Sequence, residues 1–181
     1  MRAWTGRVGA IPRHACIECV AVGEQRMDTV TGRRQDHAVN TTNDNALLDA
    51  ATAARKQSHS PYSGYRVGAA VLDENKQVHV GCNVENTSYP EGICAEANAI
   101  GSMITNGGRR IVAIAIVGGP DEQHSDGQFT DIELCTPCGG CRQRILEFAD
   151  AETRVLMQGT KGVVESGIGD LLPLSFNPSE D

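Results

Sequence analysis

The sequence predicts an α/β protein, a sheet covered by helices on both faces. Segments of helical period alternate along the chain with short apolar runs bounded by turn residues. One run, Ile111 to Val117, is continuously apolar, as a central strand buried on both faces requires.

Residues 1 to 42 carry scattered Gly, Arg and Thr without helical or strand period, and read as an irregular, disordered extension ahead of a folded domain over 43–181. From Asp44 a helix is expected: Asp44 can cap it, Leu47, Leu48, Ala51 and Ala54 form one apolar stripe, and Arg55-Lys56 suit its negative C-terminal end. It ends before Ser60-Pro61. Val67 to Leu72 and Val78 to Cys82 read as a hairpin about the polar turn Asp73-Glu74-Asn75-Lys76. A second helix runs from about Cys94 to Asn106, stopped by Gly107-Gly108. After the central strand, a polar loop spans Gly118 to about Leu134. A third helix begins at Pro137, with Ile145, Leu146 and Phe148 facing inward. Thr153 to Met157 and Val163 to Ser166 are short strands about a Gly-rich turn.

Length and composition bound the function. With 181 residues, 40% hydrophobic and 22% charged, the chain suits one soluble domain with a sizeable core. A formal charge of -7 repels a polyanion, which disfavours nucleic acid and favours a small neutral substrate. The longest apolar stretch, Ile111 to Val117, falls far short of the ~20 residues that span a bilayer, so no membrane association is expected. No apolar run follows Met1-Arg2-Ala3-Trp4 as an export signal would require, so a cytoplasmic location is expected. Seven cysteines, an odd count with tight spacings, favour metal binding or catalysis over disulfides in a reducing compartment.

Cys138-Gly139-Gly140-Cys141 places two thiols three apart on the first turn of a helix, where both sulfurs share a face. The helix N-terminus lowers thiol pKa and favours thiolates, the ligands zinc takes in tetrahedral geometry. Cys94, also at a helix start, can supply a third. Three protein ligands leave a position open for water, the mark of a catalytic rather than a structural zinc. Glu96, two residues beyond Cys94, is the acid-base candidate. On spacing alone other readings stand. Cys135-Thr136-Pro137-Cys138 is itself a Cys-x-x-Cys, and Cys135 could complete a structural site. The Cys138–Cys141 pair could be redox-active, Cys16 and Cys19 with His14 could bind metal, and Cys82 reads as a small buried strand residue.

Cys94-Ala95-Glu96 with Pro137-Cys138-Gly139-Gly140-Cys141 resembles the paired motifs of zinc nucleoside and nucleobase deaminases. Ser60-Pro61-Tyr62-Ser63, Val67-Gly68-Ala69-Ala70 and Gly81-Cys82-Asn83-Val84-Glu85-Asn86 narrow the likeness to tetrameric cytidine deaminases, over roughly Asp44 to Pro178. The resemblance implies a three-layer α/β/α sandwich on a five-stranded mixed sheet. It implies one zinc per subunit and hydrolytic deamination of cytidine and deoxycytidine in pyrimidine salvage, with Glu96 shuttling protons. It assigns the ribose to Asn83 and Glu85, places Tyr65 where the family usually has Phe against the pyrimidine, and adds Ala95 to the substrate contacts. Tyr89 and Phe176 would reach a neighbour's site, which implies a homotetramer with shared active sites.

Three features depart from the family pattern. Ala97 stands where Arg usually follows the catalytic Glu, so another donor must balance the thiolates; Arg142, Asn98 and the two helix N-termini are candidates. Gly140 stands where Ala is frequent, and the 118–134 loop is longer than usual. Blasticidin-type deaminases share the motif and are the nearest rival, and a non-catalytic zinc module is the rival from another class.

Overall fold

The computed structural model describes residues 41–120 and 134–176. Helix α1 spans Thr41–Arg55, followed by strands β1 (Tyr65–Asp73) and β2 (Val78–Cys82), a 3₁₀ turn at Tyr89–Glu91, and α2 (Ala95–Thr105). Then come β3 (Ile111–Pro120), α3 (Gly139–Leu146), β4 (Arg154–Gly159), β5 (Gly162–Gly167) and the short α4 (Ile168–Leu171). The strands form one five-stranded sheet in the order β2-β1-β3-β4-β5. It is mixed: β3 and β4 run parallel, and every other neighbouring pair is antiparallel.

Alternation along the central strands sorts the core into two layers. Ala113, Ala115 and Val117 of β3 and Ala70 of β1 meet Leu47, Leu48 and Ala51 of α1. Ile114 and Ile116 of β3, Val71 of β1 and Val155 and Met157 of β4 meet Ala95, Ala99, Ile100 and Met103 of α2 and Ile145 of α3. Residues on the α1 face of the central strands are mostly small, and those on the α2 and α3 face are larger. Two glycines mark the closest approaches: a Cβ on Gly68 would collide with the α1 backbone at Ala51 O and Arg55 N, and one on Gly81 with the α2 backbone at Ala99 N and Ala95 O. The second contact seats the start of α2, and with it Cys94 and Glu96, against the sheet. Asn98 strengthens it, donating from Nδ2 to the Cys82 carbonyl at 2.8 Å.

All five expected strands are present, β2 with the expected ends and the others with ends shifted by at most three residues. The helices differ more. α1 begins at Thr41, so Asp44 lies inside its first turn rather than capping it; the Asp44 carboxylate is buried and pairs with Arg154 of β4 at 2.7 Å. Arg55 ends α1 as expected, and it is 2% exposed and donates to the Pro120 carbonyl at 3.2 Å. α3 opens at Gly139 with Cys138 as N-cap, so Pro137 precedes the helix instead of occupying its first turn. The helix stops at Leu146, and Phe148 packs on the core from the following turn. β3 continues through Gly118 to Pro120, where a loop is expected from its residue composition, because β1 pairs with it as far as Tyr65↔Pro120. Most of that loop and of the N-terminal extension, including Cys16, Cys19 and His14, lies outside the described residues.

Candidate active site

Cys94 caps the N-terminus of α2, Cys138 caps that of α3, and Cys141 sits in the first turn of α3. The parallel β3–β4 arrangement and the packing of α2 beside α3 bring the two helix starts together. Among the described residues these are the one group of thiols and carboxylates whose ligand atoms all lie within 4.8 Å of one another. Cys94 Sγ and Cys138 Sγ are 3.9 Å apart. Ligands about 2.3 Å from a tetrahedral zinc are separated by about 3.8 Å, so Cys94 and Cys138 have the spacing that zinc requires, with Cys141 within 4.8 Å of both.

The electrostatics agree with a cation site. Burial, and then the negative charge of Cys138, raises the Cys94 thiol above its ordinary value. Burial with the charges of Glu96 and Cys94 raises Cys141 more strongly. Burial also acts upward on Cys138, but hydrogen bonds from the Cys141 backbone N–H and the two other thiols outweigh it, and its pKa is lowered. A divalent cation would remove the repulsion among three adjacent thiolates, inverting the upward shifts of Cys94 and Cys141 and deepening the downward shift of Cys138. Cys135 stands apart. It is buried, its sulfur lies 2.5 Å from where a Gly118 Cβ would stand, and Tyr65 packs against the same core cluster. Burial pushes its thiol up to about 11. The structure therefore groups Cys138 with Cys141 and Cys94, and leaves Cys135 in the core. Cys82 is half-buried at the end of β2.

Glu96, at 4% exposure, lies in the first turn of α2 beside the thiols. Burial raises its carboxyl above the usual range, against the opposing pull of its own backbone N–H, the Cys141 thiol and the charge of Arg144. A carboxyl so placed holds a proton more readily than a solvated glutamate and can both take and return one. Both expected side-chain donors have backbone partners elsewhere. Arg142 donates from Nε to the Pro137 carbonyl at 2.9 Å and from Nη1 to the Leu171 carbonyl at 2.8 Å, tying the approach to α3 to α4. Asn98 is engaged with Cys82.

Asn83 and Glu85 organise the segment ahead of β1. Asn83 Oδ1 accepts from Ser58 Oγ at 2.5 Å and from the Val67 N–H at 2.8 Å, while Nδ2 donates to the Tyr65 carbonyl at 2.9 Å. Glu85 accepts from the Tyr62 and Ser63 N–H groups at 2.9 and 3.2 Å and from Ser63 Oγ at 2.5 Å. The Ser63 hydroxyl and these N–H groups hold its carboxyl below the usual range. Tyr65 packs on the core beside Cys135, and burial raises its phenol. The Ala95 side chain is fully buried in the core, so only its backbone could meet a ligand. Tyr89 is 75% exposed and packs edge-on against Tyr62, with centroids 5.7 Å apart. Phe176 is 76% exposed, and its carbonyl accepts from Gln143 Nε2 at 2.9 Å.

A sequence model described as the cytidine and deoxycytidylate deaminase zinc-binding region matches residues 41–157. The chain belongs to that family. A cytidine deaminase of Sporosarcina psychrophila is 34% identical over 135 residues, which cover 74% of this chain and 91% of that protein. Among solved structures, a cytidine deaminase from Mycobacterium tuberculosis is 36% identical at a TM-score of 0.60, covering 74% of this chain and 96% of the other. One from Burkholderia pseudomallei is 37% identical at a TM-score of 0.62, covering 73% and 98%. The protein is therefore a hydrolase of the zinc-binding deaminase family on a deaminase fold, with its three candidate ligands inside the matched region. Among the described residues no helix is long and apolar enough to cross a membrane.

Motif spacing gave no sign of the packing of Tyr65 with Cys135 or of the Arg142 clamp. Arg144 had one legible signal, its place four residues after Gly140 and hence above it on the same helix face.

Proposed function

We propose that this enzyme deaminates cytidine and deoxycytidine hydrolytically, with one zinc per subunit held by Cys94, Cys138 and Cys141. The observation that carries the reading is the convergence of three thiols within 4.8 Å beside a buried carboxyl of raised pKa. The chemistry zinc supplies when bound is Lewis acidity towards water at an open fourth position. Glu96 takes the water's proton and delivers it to N3 of cytosine as oxygen adds at C4. Glu96 then carries the second proton to the departing amino group, so that cytidine and water become uridine and ammonia. Its burial keeps bulk water from competing for these protons, and its raised pKa suits the acid half of the cycle.

For the substrate's sugar, Asn83 keeps one Nδ2 hydrogen beyond those already committed, and Glu85 retains acceptor capacity at a partly exposed carboxylate. Both are held by several hydrogen bonds, and such preorganisation favours a hydroxylated sugar over analogues that leave these groups unpaired. Tyr65 would lie against the pyrimidine ring, with Ala95 contributing through its backbone. Large exposures at Tyr89, Leu174 and Phe176 support a homotetramer in which these residues complete neighbouring sites. Free thiols at the site suit a reducing cytoplasm, where the enzyme would serve pyrimidine salvage. Ammonia release from cytidine, deoxycytidine, cytosine, adenosine and blasticidin S by the zinc-loaded enzyme tests the assignment. Turnover of blasticidin S in preference to both cytosine nucleosides would replace it with the blasticidin reading. Zinc uptake without turnover of any substrate would leave a zinc-binding module.

A further inference from the structure

Three thiolates on a divalent ion carry a net charge of about -1, and that charge opposes both retention of the ligand set and ionisation of the water it activates. The N-termini of α2 and α3 each offset about half a charge. Arg142 is bound to two backbone carbonyls and Asn98 to a third.

Arg144 is placed differently. It stands four residues after Gly140 on α3, and helical side chains lean towards the N-terminus, so its guanidinium folds back over the first turn. Its Nη1 lies 3.0 Å from where a Cβ on Gly140 would stand, between the ligand positions Cys138 and Cys141. Among the described residues no carboxylate lies within ion-pair distance of it. It also borders a cavity of about 420 Å³ between α2 and α3, lined by Ala97, Ile100 and Gly101 on one side and by Gln143, Glu147 and Phe148 on the other. Two small residues, Gly140 and Ala97, thus leave the space a guanidinium needs beside the site.

We propose that Arg144, resting against the bare Gly140 backbone at the start of α3, is a positioning residue whose charge balances the Cys94–Cys138–Cys141 thiolate cluster. The assignment rests on the zinc reading above. Arg144 does not touch substrate; it acts through the ligands, favouring their ionised form and strengthening the pull of the metal on its water.

The test compares zinc-loaded wild type with Arg144→Gln, Arg144→Lys and the double variant Ala97→Arg/Arg144→Gln, measuring zinc transfer to a chromophoric chelator and the pH profile of kcat/KM. Arg144→Gln should release zinc about tenfold more readily, as loss of a residue supporting metal ligands typically does, and shift the acidic limb upwards. Lysine should recover part of the retention. The cation reinstalled from position 97, across the shared cavity, should recover most of it, which a merely structural side chain would not explain. Gly140→Ala, whose methyl displaces Nη1, should lie between wild type and Arg144→Gln. Equal zinc retention and an unmoved acidic limb in a folded Arg144→Gln enzyme would overturn the proposal. A wild type that takes up no zinc would overturn it together with the zinc reading. A wild type that binds zinc but leaves cytidine unchanged would sink only the substrate assignment, since zinc transfer still decides the role of Arg144.

Discussion

At the scale of single residues, the thiols and Glu96 divide the proposed work between holding a metal and moving protons, and substitution should separate the two. Glu96→Gln keeps the size of the side chain and removes its basic form. Turnover should fall by about 10²- to 10⁴-fold, the range general acid-base catalysis contributes, while zinc content measured by atomic absorption stays at the wild-type level. Residual activity above a few per cent would remove Glu96 from the mechanism. Cys94→Ala, Cys138→Ala and Cys141→Ala should each lose zinc, because each supplies one of three clustered sulfurs. Cys135→Ala should retain zinc, since its sulfur sits in the core against Gly118 and Tyr65. Zinc loss in Cys135→Ala with retention in Cys141→Ala would reverse the ligand pairing. The Cys138–Cys141 pair was legible in the sequence because two thiols three apart at a helix start share a face, and Cys94 and Glu96 joined it through the family resemblance. Arg142 was not, since its proximity to Cys141 along the chain gave no hint that Pro137 and Leu171 carbonyls would take its donors.

At the scale of elements, α2 delivers Cys94 and Glu96, and the seat for α2 is Gly81. Gly81→Ala forces a methyl into backbone atoms of Ala95 and Ala99, which no rotamer can relieve. The variant should lose about 1 to 3 kcal/mol in urea unfolding, and activity should fall with it because the helix start is displaced. Full activity in the variant would show that the start of α2 tolerates displacement. The β1–β2 hairpin carries a second device. Asp73, 1% exposed, faces His79 Nε2 at 2.9 Å and accepts from the Asn75 and Gln77 N–H groups. Burial pushes its carboxyl up, but the hydrogen bonds from His79, Gln77 and Asn75 prevail and hold it below the usual range. A depressed carboxylate stabilises the fold at pH values above its unfolded pKa, and the contribution is lost as pH falls through the folded value. Asp73→Asn should therefore be less stable than wild type by about 1.5 to 3 kcal/mol at neutral pH, the range for hydrogen bonds to a charged group. The difference should hold down to roughly pH 5 and shrink below it. A difference independent of pH would assign the effect to packing. The hairpin itself could be read from the Asp73-to-Lys76 turn, whereas the pairing of Asp73 with His79 depends on cross-strand register.

For the molecule as a whole, the exposure of Leu174 at 95%, Phe176 at 76% and Tyr89 at 75% is large for apolar and aromatic side chains in one chain. In the proposed tetramer they are covered, and Phe176 closes a neighbour's site. Phe176→Ala should raise KM for cytidine by about two- to tenfold, the loss expected when one aromatic contact is removed, with kcat less affected. Sedimentation at assay concentration should find the active species assembled. A fully active monomer would refute shared sites. The acidic net charge leaves such an enzyme suited to a neutral nucleoside rather than a polynucleotide.

Periodicity along the chain was enough for the α/β class and all five strands, while motif spacing together with the family resemblance picked out Cys94, Cys138, Cys141 and Glu96 as candidates. Those features arise from interactions among near neighbours and from a strand whose unbroken apolar run admits only a central, doubly covered position. Packing alone decided the rest. Asp44 and Arg55 look like helix-end charges in sequence, yet one meets Arg154, 110 residues away, and the other the Pro120 carbonyl, 65 residues away. Cys135 and Cys141 are equally plausible partners of Cys138 by spacing; they part because α3 begins only after Pro137, which turns Cys141 into the cluster and leaves Cys135 on the core side. No local rule carries that information, since contacts between distant segments exist only once the sheet has set the register that brings them together.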